Sequence, residues 1–127
     1  MQWLAIAIGG ALGAVSRSFL SAWTTKTMGT LGTVFPFGTL AVNLIGSFLM
    51  GLCFVLIVEH LELRGHWREV VMVGFLGALT TFSTFSIEGL QMINHGQWQL
   101  ALTYMAVSVF GCLATCYAGW FIAKHFI

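Results

Sequence analysis

The residues best suited to chemistry cluster in one stretch, GFLGALTTFSTFS at 74–86. Phe82 and Phe85 lie three apart, so on a helix they share a face. A phenyl ring is electropositive at its edge. Two edges turned to one point, beside the hydroxyls of Ser83, Thr84 and Ser86, can hold a small anion. They do so without a fixed positive charge, which would trap the anion rather than pass it. Just before them, Gly77 to Thr80 combines glycine and β-branched threonine, both weak helix formers. A break there frees carbonyl oxygens from the i to i−4 ladder, and such oxygens suit a hard cation. No carboxylate lies close enough to compete for that role. Packing is the plainer use of aromatic residues at helical spacing, so these residues alone leave the ion unidentified.

Two more stripes carry polar groups. Thr39, Asn43 and Ser47 recur at every fourth position, and Tyr104, Ser108, Cys112 and Thr115 trace a similar line. Any one hydroxyl can serve as interhelical glue, worth about 0.6 kcal/mol. Asn43 differs, because its carboxamide brings two donors and an acceptor to a place far from bulk water. Arg17 and Glu88 are the charges inside apolar segments. Arg17 can snorkel towards an interface and raise the local anion concentration. Glu88 suits either pairing or proton carriage. Cys112 and Cys116 share a helix face, but no His or Asp joins them at ligand spacing. These two and Cys53 read as small buried hydrophobes. No nucleophile–base pair is visible, which argues against an enzyme. A net charge of +1 supplies no basic patch for nucleic acid.

The elements that position these residues are membrane spans. The chain is 58% hydrophobic and 7% charged, too little charge for a soluble domain of its size. Apolar blocks run over 3–23, 37–58, 70–93 and 98–122. Each reaches across a hydrocarbon core of about 30 Å, which takes about 20 helical residues. Backbone groups in lipid must be satisfied internally, so all four are helices. Together they use residues 1–127 as a single four-span domain. The first block lacks a basic n-region and reads as a span rather than a cleaved leader. Loops fall at 24–36, 59–69 and 94–97, with Pro36 in the first turn of the second helix. Gly9/Gly13 and Ser47/Gly51 are small-xxx-small pairs for close packing, within a subunit or between subunits.

Four spans put both termini and the second loop on one side, with Arg64, Arg68 and Lys124. Lys26 lies on the other, joined by Arg17 if it reaches that interface. Positive residues set orientation by their cytoplasmic excess. Here the excess is slight, so the chain is expected to insert both ways and to form an antiparallel homodimer.

GTLAVNLIGSF at 38–48 and GFLGALTTFSTFSIE at 74–88 resemble the two signature segments of the fluoride-specific ion channel family, Fluc or CrcB. GGALGAVSR at 9–17 resembles that family's first helix, and the likeness extends over the whole chain. The resemblance implies an all-α, dual-topology homodimer in the bacterial cytoplasmic (inner) membrane, with the third helix broken mid-membrane. It implies two fluoride pathways, each built from both subunits. It implies a structural, untransported sodium ion held by the carbonyls of Gly77 and Thr80. Phe82 and Phe85 become pore residues with their ring edges towards fluoride; Asn43, Tyr104 and Ser108 become polar pore groups, with Ser83 and Thr84 beside them. Arg17 falls at the aqueous vestibule. Cys112 departs from the pattern, standing where many members have serine. The implied role is protection: fluoride enters acidified cells as HF, ionises, and leaves passively down its gradient. A small multidrug exporter would also have four spans, but it needs a carboxylate in the first, and there is none. A non-transporting assembly subunit would leave the third-span motif without purpose.

Overall fold

A computed structural model describes residues 1–60 and 67–126. Helix α1 (Gln2–Met28) is followed by the short α2 (Thr30–Val34). Helix α3 (Phe37–Cys53) continues over Phe54–His60 in a wider i to i+5 winding. Helix α4 starts with that same winding over Glu69–Leu76 and ends in one α turn, Gly77–Leu79. Then come α5 (Phe82–Asn94) and α6 (Trp98–Phe126). Four segments are long and apolar enough to cross a membrane: Gln2–Met28, Phe37–Glu59, Glu69–Asn94 and Trp98–Phe126. The chain is therefore an all-α, four-span bundle whose third span is interrupted.

Three details differ from the sequence reading. The stretch 24–36 is mostly helical, because α1 runs on to Met28 and α2 follows after one residue. That residue is Gly29, whose φ of 54° is open to glycine at little cost. Pro36 sits just outside α3, at its N-cap, rather than in its first turn. Arg64, counted above for orientation, lies outside the described residues, as does the rest of 61–66.

Exposed tryptophans mark both ends of the bundle. Trp3 and Trp67 lie on the side of the termini, and Trp23 and Trp98 on the other. Tryptophan favours the two membrane–water interfaces for its apolar body and polar tip. Between these belts, glycines bring backbones together. A Cβ added at Gly9 would strike the carbonyl oxygen of Val70, joining α1 to α4. One added at Gly51 would strike that of Cys116, joining α3 to α6. Gly9, Gly13 and Gly51 thus serve close packing within the chain. Leu40, Met92, Ala101 and Tyr104 form a buried cluster that fixes α5 against α3 and α6.

Candidate functional site

The interruption falls at Thr80 and Thr81, both extended (φ −79°, ψ 153° and φ −147°, ψ 121°). Gly77 is helical, so the break lies at the far end of the stretch singled out in the sequence. Each threonine has its own task. Thr80 closes α4: its N–H and its hydroxyl both donate to the Leu76 carbonyl, each at 3.1 Å. Thr81 opens α5: its Oγ1 accepts the Thr84 N–H at 3.2 Å, a side-chain N-cap. That Oγ1 also donates to the Thr84 hydroxyl at 3.1 Å and lies 3.3 Å from the Ser83 hydroxyl.

A peptide unit lifted out of a helix inside a membrane needs new partners. Asn43 supplies them from α3. Its Oδ1 accepts the Thr81 N–H at 2.8 Å, and its Nδ2 donates to the Thr81 carbonyl at 3.1 Å. The carboxamide imitates a neighbouring strand and clasps the break from the side. One amide proton of Asn43 is left over. Within the described hydrogen bonds, none crosses the break to the carbonyls of Gly77, Ala78, Leu79 or Thr80.

A cavity of about 440 Å³ opens beside the clasp. Asn43, Gly46, Ser47 and Met50 line it from α3; Thr80, Thr81, Phe82 and Phe85 line it from the broken span. From α6 come Ser108, Cys112 and Cys116, spaced four apart. The α6 stripe thus continues through Cys116, while the Thr115 hydroxyl turns back to the Cys112 carbonyl at 3.2 Å. That even spacing, 104–108–112–116, was present in the sequence. Among the described residues lining this cavity, none is charged. The Ser108 hydroxyl is buried beside the Tyr104 hydroxyl and makes no close hydrogen bond.

The phenylalanines form one end of a chain of rings. Phe82 and Phe85 have centroids 5.2 Å apart, and Phe85 lies 5.2 Å from Tyr104. Phe35 meets Tyr104 edge-on at 5.5 Å. A second cavity, of about 360 Å³, lies past Tyr104, on the side away from the termini. Thr39, Glu88 and His95 line it, with Ser21 and Thr25 of α1. Arg17 lies one turn before Ser21 on α1, outside the lining of both cavities, and makes no ion pair among the described residues.

Between the cavities stands a cluster that the sequence did not reveal. Glu88 Oε1 accepts the Thr39 hydroxyl and Oε2 accepts the Tyr104 hydroxyl, both at 2.7 Å. Each member lies three or four residues from one that lines the first cavity: Thr39 from Asn43, Glu88 from Phe85, and Tyr104 from Ser108. The partnership joins three helices, and only the polar character of its members was visible in the sequence.

Fold and site together define a multi-pass membrane protein built round an interrupted span with solvent-sized cavities on either side of a polar divider. Residues 4–120 match the family described as CrcB-like protein, Camphor Resistance (CrcB). A protein of Saccharophagus degradans named Fluoride-specific ion channel FluC is 52% identical over 84% of this chain and 77% of its own length. Proteins of the same name from Hahella chejuensis and Magnetococcus marinus are 51% and 46% identical, over 90% and 98% of this chain and 87% and 98% of their own. The chain belongs to the CrcB/FluC fluoride channel family, whose members transport rather than catalyse.

Proposed function

We propose that this chain forms a fluoride-selective channel that passes fluoride passively out of the cell and so lowers its cytoplasmic concentration. The observation that carries the reading is the lining of the first cavity. It offers hydroxyl and amide donors with aromatic rings, and no charge among its described residues. Ser108 and Asn43, with its spare amide proton, line it together with Phe82 and Phe85. The start of α5 adds the positive end of a helix dipole, which favours an anion. Neutral donors hold an anion loosely enough to release it. Ser83 and Thr84 stiffen the turn through Thr81. Tyr104 and Glu88 form the divider beyond, and Arg17 is assigned to drawing anions towards the vestibule.

The functional unit in this reading is an antiparallel homodimer with dual topology. Phe82 is 76% exposed although it adjoins the break in the middle of the third span, and a second copy gives it a partner. The freed carbonyls at the end of α4 fit a hard cation, since oxygen dipoles and the negative end of a helix converge there. Gly77 and Thr80 would hold a structural sodium ion, which would supply positive charge to the broken ends without being transported.

Liposomes containing the protein are expected to release fluoride quickly and chloride hardly at all, as followed by ion-selective electrode. Release no faster than from empty liposomes would refute the reading. Dual topology is checked by cysteine labelling of the loop between α3 and α4 from each side. Labelling from one side alone would exclude it.

A further inference from the structure

Cys112 and Cys116 play no part in the reading above, yet both line the first cavity together with Met50 of α3. All three cysteines are free thiols. Positions four apart on a helix place their Cβ atoms about 5–6 Å apart. That is too far for a disulfide, which wants about 3.8 Å between Cβ atoms. It suits a different bridge. A two-coordinate metal with metal–sulfur bonds of about 2.3 Å holds two sulfurs about 4.6 Å apart, within reach of such a pair. Met50 and Cys116 also line the adjoining cavity towards the termini, so both residues border the two spaces.

We infer that Cys112 and Cys116, backed by the Met50 thioether, form a site for a soft, linearly coordinating divalent cation in the wall of the conduction cavity, and that its occupation blocks the channel. Thiolate and thioether ligands select soft metals. Charge selects the divalent ion among them. Each thiol gives up one proton to cavity water on binding, so two thiolates and a divalent cation make a neutral unit. A monovalent soft ion would leave one net negative charge in the membrane interior, which is costly. No electrons are transferred, and a chelating dithiol reverses the reaction. The bridged sulfurs lie one and two turns from Ser108 on the same face of α6, so the metal narrows the space through which an anion must pass. Cys53 is outside both cavity linings and serves as the internal control.

The test uses Hg(II) as the probe, on the full chain, with each variant scored against its own untreated flux. Micromolar Hg(II) is expected to slow fluoride efflux about tenfold or more in the unmodified protein and in Cys53→Ala, with recovery on adding dithiol. Cys112→Ser and Cys116→Ser are each expected to lose most of that sensitivity. Equal block in the Cys112→Ser/Cys116→Ser double variant, or loss of block in Cys53→Ala, would overturn the site. The flux readout rests on the fluoride reading, so the metal is also counted directly by native mass spectrometry in detergent. One Hg(II) per chain in Cys53→Ala, and none in the double variant, is expected whether or not the protein conducts. Binding of no Hg(II) by Cys53→Ala would refute the proposal without touching the fluoride reading.

Discussion

Replacing Asn43 by leucine tests the architecture of the break most directly. Leucine keeps the same branched four-atom side-chain skeleton, with bulkier methyls in place of the oxygen and nitrogen, so the shape is kept while both polar arms disappear. Two hydrogen bonds to one peptide unit are lost, at 2.8 and 3.1 Å. Interhelical hydrogen bonds in membranes are worth about 0.6–1.7 kcal/mol each, so the pair predicts a loss of about 1–3 kcal/mol. The upper half of that range is favoured because Asn43 is only 9% exposed and Thr81 only 8%, which leaves the orphaned N–H and carbonyl little access to water. The chain has one escape: the Thr81 N–H can return to the Gly77 carbonyl and heal the helix. Healing would withdraw Phe82 and Phe85 from the cavity. Unfolding in mixed micelles measures the stability change, and electrode-recorded efflux measures the flux. Asn43→Leu should lose both stability and conduction. Asn43→Asp should retain the acceptor for the Thr81 N–H and sit between the original protein and Asn43→Leu in stability. A stability change under about 0.5 kcal/mol with normal flux would show that the clasp does not hold the break.

Ser108→Ala removes a hydroxyl that makes no close hydrogen bond, its nearest polar neighbour being the Tyr104 hydroxyl. Its stability is expected to stay within about 0.5 kcal/mol of the original while fluoride efflux slows, a split that a packing role would not produce. Phe82→Ile and Phe85→Ile should slow flux while the chain still associates on size-exclusion chromatography; unchanged flux in both would reject the ring-edge role. Thr39→Val and Tyr104→Phe each remove one donor from Glu88. A double-mutant cycle on stability should give a coupling of about 0.5 kcal/mol or more, and strict additivity would dissolve the divider. Gly51→Ala should destabilise by about 1–3 kcal/mol because the new methyl meets the Cys116 carbonyl, whereas Gly10→Ala, with open space around it, should be nearly neutral in the same unfolding assay.

The four spans were legible because hydrophobic length is a property of single segments. The ring pair and the polar stripes were legible for a similar reason, since helical spacing alone puts Phe82 with Phe85 and Ser108 with Cys112. The position of the break was less so. Weak propensity pointed to Gly77 through Thr80, yet Gly77 remains helical and the chain opens at Thr80 and Thr81. What decides the matter is Asn43, 38 positions earlier, which provides substitute partners only to Thr81. The Thr39–Glu88–Tyr104 cluster was hidden for the same reason, being a contact among three helices. The wide winding at Phe54–His60 and Glu69–Leu76 has no signal in residue type that we can identify.

The glycine seams have a mechanical consequence. Backbone contact joins α1 to α4 at Gly9 and Gly13 and α3 to α6 at Gly51 and Gly119, and Gly38 brings α3 against the Ser21 carbonyl of α1, so the two pairs are tied at one end. Asn43 belongs to the α3–α6 pair, and the Thr81 peptide that it clasps follows closely on the end of α4 in the other pair. The clasp is thus a second tie between the two pairs, set at the wall of the first cavity. A single carboxamide then fixes the spacing of the cavity wall, and the two glycine-sutured helix pairs hold the frame in which it is set.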